Sequence, residues 1–169
     1  MPEAYRLKVT LVDSEPEVWR VVLVSTDLLF SELHDVVQRA MGWQNQHDYV
    51  FRLEIGQAAC ETQQSLAAAI ASCPDQTLYY TYDLKNGWLH RLEAQAATAD
   101  RQTALPICID GAAACPPEGS GGVWGYDELL ERLEDPEDPD YLDLIEKYGD
   151  FDAEAFDLAA VNARLAKGG

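Results

Sequence analysis

The stretch from Phe30 to Ile55 limits most tightly what this chain can fold into, because it joins an amphipathic helix to an alternating strand through a single glycine. Phe30, Leu33, Val37 and Ala40 fall on one stripe at helical spacing, which predicts a helix over about 30–41. Gly42 follows as a residue free to take the positive φ that ends such a helix, and Trp43 returns apolar surface behind it. Tyr49, Phe51, Leu53 and Ile55 then alternate with Asp48, Arg52 and Glu54, the period of a half-buried strand.

The rest of the chain builds around this unit. Tyr5, Leu7, Val9 and Leu11 alternate with Arg6, Lys8 and Thr10, and after a turn at Asp13–Pro16 the segment Val18–Val24 reads as a second strand, so a hairpin opens the fold. The strand–strand–helix–strand order makes a crossover compatible with parallel pairing of the second and third strands and admits a β-grasp-like core. Thr62 or Ser65 caps a short alanine-rich helix ending near Ser72. Thr77–Asp83 and Trp88–Glu93 read as two further strands, and Asn86-Gly87 between them suits a two-residue turn. That turn pairs Lys85 with Trp88 and Asp83 with His90, holding a carboxylate beside an imidazole. Leu105–Ile109 is a sixth strand, and the Pro- and Gly-rich segment Cys115–Gly122 is a loop. Three short helices close the chain, marked by Tyr126, Leu129, Leu130 and Leu133, by Tyr141, Leu144, Ile145 and Tyr148, and by Leu158, Val161 and Leu165. The expected fold is α+β: a mixed, mainly antiparallel sheet of five or six strands with one main packing helix and short C-terminal helices. One domain spans residues 1–169, with the acidic helical part 123–167 docked on the sheet because it has too little apolar surface to fold alone.

Charge narrows the function. The chain has 30 acidic and 12 basic residues, and its net charge is -18. Between Asp127 and Asp157 stand 14 acidic and 2 basic residues, net -12, leaving -6 for the remainder. Such a chain repels phosphate backbones and anionic membrane surfaces, so direct nucleic-acid binding is not expected. The same acid attracts a basic protein partner. No apolar run is long enough to cross a membrane, and the N-terminus lacks the apolar core of a signal peptide, which predicts a cytosolic protein with four reduced cysteines.

Several segments carry a family likeness. Val18-Trp19-Arg20, Leu33–Gln38, Gly42-Trp43, His47, Tyr82–His90, the Cys115-Pro116-Pro117-Glu118 loop with Gly121-Gly122, Gly125-Tyr126, and the closing Phe151-Asp152, Ala155-Phe156-Asp157 and Asn162 resemble the plasmid pRiA4b ORF-3-like family, in that family's order, from about Tyr5 to Leu165. The resemblance implies a protein of the kind carried on plasmids, chromosomes and insertion elements, and no established activity. Leu84-Lys85-Asn86-Gly87-Trp88 departs from the family's Phe-Gly-Asp-Gly-Trp hairpin. Gly119 and Ser120 stand where it places Asp-Cys, which weakens any paired-cysteine site.

All three histidines lie in these motifs, and with Asp83, Cys115 and Glu118 they supply the ligand types of a divalent metal site. Their spacing matches no metal motif, and a helical histidine on an apolar stripe, such as His34, is more often a hydrogen-bonded core residue. Asp83 and His90 resemble the orienting half of a hydrolytic triad, but no nucleophile elbow accompanies them. Cys115 has no basic neighbour in sequence to lower its pKa. Any ligand site is expected where the end of the first helix, the Asn86-Gly87 hairpin and the Cys115–Gly122 loop meet, drawing on His34, Trp43, His47, Asp83, Trp88, His90, Cys115 and Glu118. Two function classes follow: a non-enzymatic binding or adaptor module taking a basic protein partner or a small molecule, and a metal-assisted or Asp/His-based hydrolase built on His34, His47, Asp83 and His90. The sequence names no cofactor.

Overall fold

A computed structural model describes residues 3–167. Six strands, β1 (Ala4–Leu11), β2 (Trp19–Ser25), β3 (Tyr49–Arg52), β4 (Thr77–Tyr82), β5 (Trp88–Ala97) and β6 (Ile107–Ala112), form one sheet in the order β3-β4-β5-β1-β2-β6. Five helices accompany it: α1 (Phe30–Met41), α2 (Leu66–Ala71), α3 (Gly122–Leu133), α4 (Tyr141–Tyr148) and α5 (Leu158–Ala166). The class is α+β, as the sequence predicts. Among the described residues no helix is long and apolar enough to cross a membrane.

One face of the sheet is the core. Leu7 stands between Val22 and Ala94, and Val9 between Arg20 and Leu92, so alternate residues of β1, β2 and β5 project together beneath α1. α1 starts at Phe30 with Glu32 reaching back to the Leu29 amide, and ends at Gly42, whose φ of 117° only glycine adopts without strain. Arg20, almost fully buried, closes the far end of this helix. Its Nε donates to Ala40 O at 2.9 Å and its Nη2 to Met41 O, while Nη1 donates to Trp19 O and Ala112 O. A cation thus meets carbonyls that the last helical turn leaves unpaired.

The parallel pairing of β2 and β3 is not formed. α1 is 12 residues long and spans about 18 Å, enough to carry the chain across the sheet to its far edge. There β3 pairs antiparallel with β4, and every pairing in the sheet is antiparallel. The opening therefore does not close into the parallel strand pair of a β-grasp core. β3 is also shorter than its alternation suggests, turning away after Arg52, whose Nε donates to Gln57 O.

The β4–β5 register also differs from expectation. Tyr82 pairs with Trp88 and Tyr80 with His90, so the connection is five residues, 83–87, and Asp83 does not face His90. The physical reason is burial. A two-residue turn at Asn86-Gly87 would put Asp83 and Tyr79 on the core face and turn the rings of Tyr80 and Tyr82 outward. The observed register buries both rings completely, beside Leu78. Asp83 instead leaves the strand with φ 61°, and its carbonyl accepts from the Gly87 amide at 2.6 Å.

The C-terminal helices differ in how they dock. α5 lies against α1 and β6, and Asn162 bonds both the amide and the carbonyl of Cys108. α3 buries Tyr126 against Trp88. α4 packs on α3 and buries no residue.

Candidate functional site

Three segments meet beyond the C-terminal end of α1: residues 43–48, the β4–β5 loop, and the loop 115–122. Gln44 N donates to Glu118 Oε1 at 2.7 Å, and the Tyr82 hydroxyl donates to the same oxygen at 2.8 Å. The Gln46 amide in turn donates to the Tyr82 oxygen at 2.8 Å. Gly122 lies so close to the Asn86 carbonyl that a Cβ there would fall 2.6 Å from its oxygen, which ties the start of α3 to the β4–β5 loop.

At this junction His47 Nε2 lies 3.6 Å from Glu118 Oε2 and 3.7 Å from Asp83 Oδ2. The imidazole is 35% exposed, whereas the Asp83 and Glu118 side chains are 4% and 13% exposed. Asp83 is held from behind: Asn86 N and Nδ2 donate to its two oxygens at 3.3 and 2.7 Å. Burial pushes this carboxyl upward, but the Asn86 hydrogen bonds and the nearby imidazole outweigh it, so its pKa lies below the ordinary carboxylate value. Glu118 Oε2 is buried without any hydrogen-bond donor.

His34 and His90 are placed differently. The Nδ1–H of His90 donates to Tyr80 O at 3.1 Å and its Nε2 accepts from Trp43 Nε1 at 3.1 Å, which fixes the neutral tautomer. Its complete burial lowers the pKa to about 4. His34 Nε2 pairs with Asn45 Oδ1 and its Nδ1 with the Tyr80 hydroxyl, both at 2.8 Å, while its ring stacks on Tyr49 with centroids 3.7 Å apart. Burial lowers the pKa of His34 as well. Both nitrogens of each ring are thus engaged inside the protein. Trp43 and Trp88 are core residues in contact with each other, and Trp43 also stacks on Tyr82.

Cys115 packs against Gly42, where a Cβ on the glycine would meet the Cys115 Cβ at 2.9 Å. Burial, helped by the Glu118 carboxylate, raises its thiol pKa despite Arg20 and Arg164, two cations that the fold brings near and sequence neighbours do not. Of the eight sequence candidates, His47, Asp83 and Glu118 form the open cluster. Trp43, Trp88 and His90 are core residues packed together inside, His34 lines the same surface pocket as His47, and Cys115 begins the loop that carries Glu118. Among the described residues no group of three His, Cys, Asp or Glu side chains is arranged as a metal centre. Tyr80, Tyr82, Asn45 and Asn86 organise all of this. Tyr80 and Tyr82 were discoverable from their period-two spacing with Leu78, once their inward face is known.

The family model of the plasmid pRiA4b ORF-3-like protein matches residues 3–160. The chain belongs to that family. This pRiA4b ORF-3-like protein is 36% identical over 168 residues to the uncharacterized protein y4hQ of Sinorhizobium fredii (strain NBRC 101917 / NGR234), covering 93% of this chain and 85% of that one. It is also similar to the crystal structure of MM3350, a protein of unknown function from Methanosarcina mazei Go1. That match has 30% identity and a TM-score of 0.81, over 92% of this chain and 96% of the other. The described relatives are themselves uncharacterised, so the reading of the site rests on its geometry.

Proposed function

We propose that this pRiA4b ORF-3-like protein is a non-enzymatic binding module that receives a cationic group at the opening where His47 stands between Asp83 and Glu118. One observation carries the reading: Oε2 of Glu118 is shielded from water, has no donor, and faces a half-exposed imidazole. A buried carboxylate oxygen without a donor is costly, and a ligand N–H is the group that removes the cost. The second carboxylate, pre-oriented by Asn86, adds charge of the same sign. An amine or guanidinium fits this pair, whether on a small molecule or on a basic protein partner. The hydrolase reading has less support, because His34 and His90 have no free ring nitrogen to act as base or metal ligand, and Asp83 does not meet His90. A cytosolic setting belongs to the same proposal and rests on four cysteines that are all free thiols.

The test is an NMR titration of the histidine ring protons with agmatine and with a short lysine-rich peptide. Saturable movement of the His47 signals, abolished in Glu118→Gln, with His34 and His90 unmoved, is the expected result. A His47 ring that responds to neither probe at millimolar concentration would defeat the proposal.

A further inference from the structure

A second surface, which shares no lining residue with the His47 opening, has the form of a protein-docking groove. α4 carries Tyr141, Leu142, Leu144, Ile145 and Tyr148 in eight residues, yet none of its residues is buried, and Leu142 is 81% exposed. An isolated helix this short is marginal in water, and burial of an apolar face is what ordinarily holds such a helix. Beside it, between α3, α4 and the segment that follows, runs a groove of about 550 Å³. Leu130, Leu133 and Ile145 supply its apolar floor, and Glu134, Asp152 and Glu154 its rim. None of the three rim carboxylates is in an ion pair among the described residues.

Charge selects the occupant. The segment that builds the groove carries 14 acidic and 2 basic residues. Arg132, one of the two, is already held by Asp138 and Asp140, each at 2.8 Å. A second copy of this chain would bring the same negative field to the face, and nucleic acid or an anionic membrane would be repelled in the same way. An apolar floor inside an acidic rim fits an amphipathic helix whose polar side is basic. We infer that the α3–α4 groove docks a basic amphipathic helix of a partner protein. This surface is separate from the His47 opening, so either assignment stands or falls without the other.

The probe is a fluorescently labelled 18-residue helix of leucines on one side and lysines on the other, followed by anisotropy, with a scrambled peptide of identical composition as control. The intact chain should bind the amphipathic peptide saturably and the scrambled one at least tenfold more weakly, with affinity falling several-fold as salt rises. Ile145→Asp should weaken binding at least tenfold, although it adds negative charge, and a circular dichroism melt checks that the variant is folded. The rim variant Glu134→Lys with Asp152→Lys and Glu154→Lys, all on the surface, should also lose binding. Equal binding of the scrambled peptide, or undiminished binding by folded Ile145→Asp or by the rim variant, would each overturn the assignment.

Discussion

His90 gives the chain a specific acid sensitivity. The imidazole is wholly buried, spends both nitrogens on neutral partners, and has its pKa lowered to about 4 from an ordinary value near 6.5. Because the folded pKa lies below the unfolded one, the unfolded chain binds the proton first. The contribution is therefore complete above pH 6.5 and is lost as pH falls from 6.5 to about 4. A difference of about 2.5 units at about 1.4 kcal/mol each amounts to roughly 3 kcal/mol, a large share of a typical domain stability of about 5–15 kcal/mol. His34 is lowered in the same direction and adds to the slope. Asp83, with a lowered carboxyl pKa, acts in the same direction but at lower pH, losing its stabilisation only below the ordinary carboxylate value. Lower pH also relieves self-repulsion in a chain of net charge -18, so the informative quantity is a difference between two proteins. Urea unfolding between pH 7.5 and 4.5 should show the parent losing about 2–3 kcal/mol more than His90→Gln, whose side chain has no charge to gain. Parallel pH profiles for the two proteins, or a His90 ring that titrates near pH 6.5 by NMR, would refute the reasoning.

Three further outcomes are expected. Tyr80→Phe removes the hydroxyl that meets His34 Nδ1 at 2.8 Å and should cost about 1–3 kcal/mol by chemical denaturation, because a buried ring nitrogen is left without a partner. Gly42→Ala forces a side chain into φ 117° and to 2.9 Å from the Cys115 Cβ, so a loss of about 1–3 kcal/mol should appear in the same assay. In a gel assay at physiological salt with unrelated duplexes, the protein should not retard DNA, since 30 acidic residues stand against 12 basic ones and no basic run forms a phosphate clamp.

How much of the fold could be read from the sequence depended on how local the deciding interaction is. α1 occupies its predicted range because its apolar stripe, the Glu32 bond to Leu29 and the Gly42 C-cap each act over only three or four residues. Ser65 and Asp157 cap α2 and α5 for the same reason, accepting from the amides of Ala68 and Ala160. The β4–β5 register failed because two signals competed. Asn86-Gly87 favours a tight turn, but burying Tyr80 and Tyr82 with Trp88 requires a five-residue loop, and two aromatic rings outweigh one turn preference. The partner of β3 was equally unreadable, because nothing local to Tyr49–Arg52 says whether α1 delivers it beside β2 or to the opposite edge.

The site was harder to read, because the residues that resemble chemistry are the same ones that a polar interior uses to satisfy itself. By residue type alone the three histidines are equivalent. What separates them is the number of partners each acquires. His90 lies between the Tyr80 carbonyl and the Trp43 indole, His34 between Tyr80 and Asn45, and these four contacts span 10 to 47 residues of sequence. Only His47, on the short segment between α1 and β3, keeps an exposed edge and meets carboxylates from two other loops. Glu118 reaches it because Gln44 and Tyr82 hold one of its oxygens and leave the other free. Availability to a ligand is therefore a property of what the neighbours leave unused, and it becomes visible only when every hydrogen bond around the group has been assigned.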